Sequence, residues 1–420
     1  MKNHRIQRVL IAAFCSTVFS ASASDIQMFG FFDQGLAYLH EDLNAGMGGP
    51  AGQSINAPQY VDKDGYVAEA QTKRSFTQGS GNVSTWGIKG SEQINADVRV
   101  LFHLESGFLA DDGTLYGGSV KPLFERESSI GVESKTWGLV KFGRMPALST
   151  GSGTTGILNS KVNPFGAGWG NMTGGWKFAG TLAAARHDNM IHYISPSFSG
   201  VRLHAQYSFK SAPDNGREGS SETNRWWAVG ASMEGGKYYL AATVDCLDAA
   251  SSAPKPEATY ANDAYKVFVG GHYNFDVFRL FGTVQYLKNM PWIGGYSTKE
   301  VAPLAQGSTG PQKGFEAWAF STGVDFRAVG GKVMTSVGYA TAKNQNLESQ
   351  NKLNRVNFGL GYQYSLSKRT SLWHRRLFLA GCRLAEKRNF CSRVYRWYDA
   401  PLVIGQYFER RRTEICVSHF

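Results

Sequence analysis

The chain has 420 residues, of which 18% are charged and 13% aromatic, with 49 Gly and 13 Pro. That composition excludes a disordered chain, a coiled coil and a typical helical soluble enzyme, and outside the N-terminus no apolar run reaches the ~18 residues of a membrane-spanning helix. The formal charge of +11 sits at the ends: residues 1–23 carry Lys2, Arg5 and Arg8 and no acid, the last fifty carry ten Lys/Arg against four Asp/Glu, and residues 24–370 keep 31 bases and 29 acids.

With so neutral a body, the pI of 9.3 is no argument for nucleic acid. In chain order, residues 1–23 read as a secretory signal peptide. Lys2, Arg5 and Arg8 form its basic region, Val9 to Phe19 its apolar region, and Ala21-Ser22-Ala23 the small residues a signal peptidase needs. A lipoprotein reading of Cys15 is disfavoured by the bulk of Ala13-Phe14 before it. The exported body then holds one cysteine, Cys246, and so no disulfide framework.

From there to about residue 372 the dominant signal is alternation of apolar and polar residues, the period of a strand with two unlike faces. Val98, Val100, Phe102 and Leu104 oppose Arg99, Leu101, His103 and Glu105. Val201, Leu203, Ala205, Tyr207 and Phe209 oppose Arg202, His204, Gln206, Ser208 and Lys210, and Val356, Phe358, Leu360, Tyr362 and Tyr364 oppose Asn357, Gly359, Gly361 and Gln363. Weaker runs lie at Thr85–Gly90, Leu139–Gly143, Ile191–Ser195, Trp226–Met233, Tyr238–Asp245, Tyr265–Phe275, Phe278–Leu287, Trp318–Val324 and Lys332–Tyr339. A soluble sandwich would alternate too, but its polar face would be rich in Lys and Glu. Here that face is Gly, Ser, Thr, Asn and Gln, with aromatics at strand ends. The pattern predicts an all-β fold, a transmembrane antiparallel β-barrel, because hydrocarbon tolerates no unpaired backbone group and forces the sheet to close.

Five ordered segments carry a resemblance. They are Gly30-Phe31-Phe32-Asp33-Gln34-Gly35, Trp86-Gly87-Ile88-Lys89-Gly90-Ser91-Glu92, Phe102-His103-Leu104-Glu105-Ser106-Gly107-Phe108, Gly138-Leu139-Val140-Lys141-Phe142-Gly143-Arg144 and Ile191-His192-Tyr193-Ile194-Ser195-Pro196-Ser197-Phe198-Ser199-Gly200. In these the chain resembles the trimeric general porins of Gram-negative bacteria, of the kind common in β-proteobacteria, over residues 25 to about 372. The resemblance implies about 16 strands, a homotrimer in outer-membrane lipid, passive diffusion of small hydrophilic solutes and ions, and an extracellular loop folded into the barrel as a constriction. It also implies a final strand ending on an aromatic residue that the outer-membrane assembly machinery recognises.

That constriction loop would run from about Pro146 to Arg186. It holds no Asp or Glu but does hold Lys161, Lys177 and Arg186, whereas many relatives place acids there. Inward parity adds Lys89, Arg99, His103, Glu105, Lys141, Arg202 and Lys210 to the lumen. One carboxylate among several bases in a narrow, low-dielectric passage concentrates anions, so a weakly anion-selective pore is expected. Trp169 and Trp176 leave a solute-specific channel for sugars or organic acids as an alternative. An outer-membrane enzyme or adhesin would need a catalytic set or a large passenger segment, and neither stands out.

Other motif matches carry less. Gly151-Ser152-Gly153-Thr154-Thr155-Gly156 fits G-x-G-x-x-G, but no acid follows before Asp188, so a loop is expected and not a dinucleotide site. No H-E-x-x-H or C-x-x-C occurs, and no Ser, His and Asp set stands out, so neither a metal, a cofactor nor catalysis is expected. The last fifty residues differ from the rest, with 9 of the 23 Arg, 3 of the 5 Cys and only 2 of the 49 Gly. Period-2 patterning stops near Leu372, and Phe420 lacks a clear amphipathic strand before it. One reading of residues 373–420 is a basic arm for anionic lipid or nucleic acid. The other is a frameshift: read from the second base of each codon, permitted codons from Trp373 can spell GIAGYFWLDAG, and those near Glu409 to Val417 can spell SGVGLKFVF. The final strands are then expected to be missing or scrambled, which would leave a disrupted porin with two open sheet edges in lipid.

Overall fold

Alternation sends successive side chains to opposite faces of a strand, and the segments so patterned are strands in the structure. The computed structural model describes residues 25–43, 71–79, 82–116, 122–151, 153–166, 175, 179, 186–211, 217–250, 263–290, 292–293, 296–297, 314–345, 352–384 and 392–410. The signal segment, Trp169, Trp176, Lys177 and Phe420 lie outside the described residues. In chain order the strands are β1 (Asp25–Leu43), β2 (Gln71–Gly79), β3 (Ser84–Gln93), β4 (Val98–Phe108), β5 (Glu127–Ser134) and β6 (Gly138–Pro146). A four-residue helix, α1 (Asn159–Val162), precedes β7 (Arg186–Ile194), β8 (Val201–Ser208), β9 (Arg225–Glu234), β10 (Tyr238–Asp248), β11 (Ala264–Asn274) and β12 (Phe278–Met290). Then come β13 (Trp292–Ile293), β14 (Tyr296–Ser297), β15 (Phe315–Ala328), β16 (Gly331–Asn344), β17 (Lys352–Ser365), β18 (Thr370–Leu384) and β19 (Ser392–Arg410).

Seventeen of these strands form one antiparallel sheet, and β13 and β14 form a small ribbon apart. Apart from β2 and β3, which both pair with β1, each strand of the sheet pairs with its neighbours in sequence, and the pairing returns to its start. One flank of β1 meets β19, from Met28↔Arg410 to Asp42↔Tyr395. The other flank is shared, its first part by β3 (Asp25↔Ser91 to Phe31↔Thr85) and its second by β2 (Gly35↔Gly79 to Leu43↔Gln71). Because β2 and β3 occupy one flank, the 17-strand sheet has sixteen positions around the ring. No helix among the described residues is long and apolar enough to cross a membrane, and a barrel crosses with strands instead.

Register fixes what each side chain faces. One outward ladder runs Leu203–Ala231–Ala242–Val269–Val284–Phe320–Tyr339–Val356 across eight strands. An inward one runs Lys141–His192–Gln206–Ala228–Asp245–Lys266–Leu287–Ala317–Ala342. The outward set is apolar and exposed, Leu203 at 53% and Phe320 at 46%, as a lipid-facing belt requires. Connections at one end are tight, such as Val329-Gly330 between β15 and β16, while those at the other are long. In barrels of this kind the short turns are periplasmic and the long loops extracellular.

Beyond Leu372, where regular alternation ends, the chain still forms strands: β18 and β19 pair with β17, with each other and with β1. The compositional boundary at residue 372 falls inside β18. Ladder bonds use backbone groups that every non-proline residue carries, so a segment can take its place in a sheet without regular side-chain alternation. The one proline of β19, Pro401, sits where the register with both neighbours slips, between Leu36/Tyr38 and between Trp373/Arg375. Bulges of that kind are where a sheet accepts proline.

Candidate pore constriction

The segment after β6 turns into the barrel and does not arch over it. Its apolar residues decide this: Ala147, Leu148, Leu158, Val162 and Phe165 are all buried. Leu148 joins a cluster with Met145, Met190, Trp226, Ala228, Leu247, Leu287, Phe315 and the inward alanines Ala317, Ala319, Ala340 and Ala342. Leu158 and Val162 of α1 pack on Tyr239, Ala241 and Phe268. Burying Leu148 and Leu158 contributes about 1.5–3 kcal/mol each. Small residues on the receiving wall make room. A Cβ at Gly323 would lie 2.9 Å from Pro164, and one at Gly230 would lie 3.0 Å from Leu148.

Polar groups on the wall then fix the loop's course. Gln206 accepts from the Leu148 amide at 2.6 Å and donates to the Pro146 carbonyl at 3.1 Å. Ser149 donates to Asp245 Oδ2 at 2.7 Å, and Tyr239 donates its hydroxyl to the Ile157 carbonyl at 2.6 Å. His272 Nδ1 meets the Lys161 carbonyl at 2.7 Å, and Gln285 donates to the Gly175 carbonyl at 3.0 Å. On the opposite side of the segment, Lys141 Nζ donates to Glu127 at 2.6 Å and to Thr154 Oγ1 at 2.6 Å.

Four of the residues singled out by sequence come together on the wall of β4–β7. Glu105 pairs with Arg126 and lies 3.3 Å from His103 Nε2. Lys141 and Glu127 form a buried pair beside them. Arg186 donates its Nε to the Arg126 carbonyl at 2.8 Å, and Arg144 donates to the Glu125 carbonyl at 2.6 Å and pairs with Asp188. Glu125, in the loop before β5, accepts from the Gly107 amide at 2.9 Å, and burial pushes its carboxyl above the usual range against the pull of that bond and of Arg126. The remaining residues lie apart. Arg99 pairs with Glu133. Lys161 pairs with Glu234 and stands 4.9 Å over the Tyr239 ring. Lys89 sits opposite His103 in register and 5.4 Å over Phe29. Arg202 is exposed and among the described residues makes no ion pair.

One carboxylate among the inward bases is therefore an undercount. Glu127, Glu133, Glu234, Asp245 and Asp325 also face inward, and Asp325 pairs with Arg279. The arginines Arg126 and Arg144 and the buried Lys266 were missed as well. Part of this was legible: Glu127, Ser129, Gly131 and Glu133 alternate with Ile130 and Val132, and Lys266 lies between Tyr265 and Val267. His103, Glu105 and Glu127 hold three possible ligand atoms within 4.8 Å of one another. Both carboxylates are already engaged, by Arg126 and Lys141, so a cation would have to displace the chain's own bases.

A family model described as Gram-negative porin matches residues 9–373. An outer membrane porin protein of Bordetella pertussis is 26% identical over 387 residues, covering 89% of this chain and 93% of that one. Outer membrane porin protein 32 of Delftia acidovorans is 24% identical over 376 residues, 88% of each chain. Among solved structures, an anion-selective porin from Comamonas acidovorans superposes with a TM-score of 0.56 at 18% identity, covering 92% of this chain and 100% of that one.

Proposed function

We propose that this chain, which belongs to the Gram-negative porin family, is a weakly anion-selective channel for passive diffusion of small hydrophilic solutes and ions. It is a non-enzymatic channel protein of the outer membrane. The observation that carries the finer reading is the inward segment after β6. It brings Lys161 and Arg186 and no acid into the lumen, against a wall bearing Arg126, Arg144 and Lys141. Fixed positive charge in a low-dielectric passage raises the local anion concentration. Pairing of most bases with Glu105, Glu127, Glu133, Glu234 and Asp188 keeps the preference weak. Lys89, Arg99, His103, Lys141 and Arg202 line the passage in this reading. Reversal potentials in a potassium chloride gradient across a planar bilayer test it: a polarity set by chloride is expected, and one set by potassium overturns it.

The same reading includes a signal peptide over residues 1–23, recognition by the outer-membrane assembly machinery and a homotrimer. Residues 373–420 are read as final strands translated out of frame, on the composition change that falls within β18. The nucleotide sequence of codons 370–420 decides this. A glycine-rich, alternating offset frame is expected, and a meaningless one makes the Arg- and Cys-rich segment genuine.

A further inference from the structure

The turn end of the barrel carries a patch that the pore does not use. Between β15 and β16 the chain reverses through Val329 and Gly330, both at positive φ (51° and 74°). That two-residue hairpin calls for Asn or Gly at its first position, and a β-branched residue is strained there. Val329 nevertheless occupies that position, with 91% of its surface exposed. In the turn between β17 and β18, Leu366 is 56% exposed, and the Ser367 hydroxyl holds the turn by accepting from the Arg369 and Thr370 amides. The two turns touch: the Tyr362 hydroxyl donates to the Val329 carbonyl at 2.7 Å, and a Cβ on Gly330 would meet the Tyr364 ring at 3.3 Å. Leu360, Tyr364 and Phe326 continue the patch into the lipid-facing belt.

Charge around the patch has one sign. Lys368 and Arg369 are exposed, and residues 327–331 and 364–370 contain no acid. Other turns at this end differ, since Lys237 pairs with Asp276 at 2.6 Å and Lys135 donates to the Ala96 carbonyl at 2.7 Å. Apolar tips flanked by unopposed bases, beside an aromatic girdle, have the chemistry of an anionic lipid surface.

We propose that the β15–β16 and β17–β18 turns form a docking patch for anionic phospholipid, in which Val329 and Leu366 enter the leaflet boundary and Lys368 and Arg369 bind headgroup phosphates. The test uses the folded full chain in neutral micelles, with thermal unfolding measured after adding phosphatidylglycerol, phosphatidylcholine or inorganic phosphate. Phosphatidylglycerol is expected to raise the midpoint by at least about 2 °C more than phosphatidylcholine, and inorganic phosphate is expected to leave it unchanged. K368Q/R369Q should lose most of that excess, whereas K135Q/K237Q should keep it. V329N should raise the midpoint in neutral micelles, because Asn suits the turn, and lose part of the lipid excess. No excess over phosphatidylcholine, an excess reproduced by inorganic phosphate, or an excess unchanged in both K368Q/R369Q and V329N would overturn the proposal.

Discussion

The lumen has two unlike walls. On β9–β16 many inward residues beneath the constriction segment are small or apolar, Ala228, Ala241, Phe268, Ala317 and Ala319 among them, and they receive it by packing, with hydrogen bonds at Asp245, Tyr239, His272 and Gln285. On β4–β7 the inward residues are ionic, and Lys141 and Glu127 reach the segment through Thr154. Packing is non-directional, and together with the hydrogen bonds of β10–β12 it fixes where the segment lies. The ionic wall is directional and fixes which charges face the remaining passage. Position and selectivity are thus set by different strands and can be disturbed separately.

The largest effect is expected on the ionic wall. Glu127→Gln leaves Lys141 buried beside a neutral partner, and breaking a buried pair from one side costs about 3–5 kcal/mol. Denaturant unfolding of the reconstituted variant should show that loss, and any folded channels should be more anion-selective. An unchanged reversal potential would place the pair outside the conducting path. On the packed wall, Leu158→Ala removes a fully buried side chain at a cost of about 2–5 kcal/mol. That loss should loosen the segment, raising single-channel current noise with little change in selectivity. A selectivity change as large as that of Glu127→Gln would erase the division between the walls.

Glu125 gives a pH handle at the loop end of the ionic wall. Burial raises its carboxyl above the ordinary value of 4.5, so the folded chain holds this proton more tightly than the unfolded chain. Its ionised form therefore opposes folding at neutral pH, and that penalty is relieved as pH falls through the folded value towards 4.5. Over the same window the anion preference should rise as a negative charge disappears beside Arg126 and Arg186. Glu125→Gln should show the raised preference at neutral pH and lose that part of the pH dependence; an unchanged profile would contradict it. The smallest effect belongs to Lys161→Ala. Its pair with Glu234 is 40% and 61% exposed, and such pairs contribute below about 1 kcal/mol. Unfolding should barely move, while the anion preference falls slightly.

Much of the barrel was legible because alternation is local. Val201–Ser208 and Val356–Tyr364 show their facing in the sequence alone. β5 was harder, since Ser128 breaks the contrast between its faces, and β18 and β19 were harder still, because their pairing rests on backbone bonds and neighbours. In the constriction, inward parity found Lys141, His103 and Glu105 but not Glu127 and Arg126, which pair with Lys141 and Glu105. Glu127 lies 14 residues from Lys141 in sequence, and Asp245 lies 96 residues from Ser149. Only the folded register brings those groups together.

The most direct test of the account is single-channel recording from the folded full chain in a planar bilayer. A closed ring with an inward constriction predicts discrete, ohmic conductance steps of uniform size. Folded protein that inserts but passes no discrete current, or only erratic leak, would contradict the closed, water-filled pore.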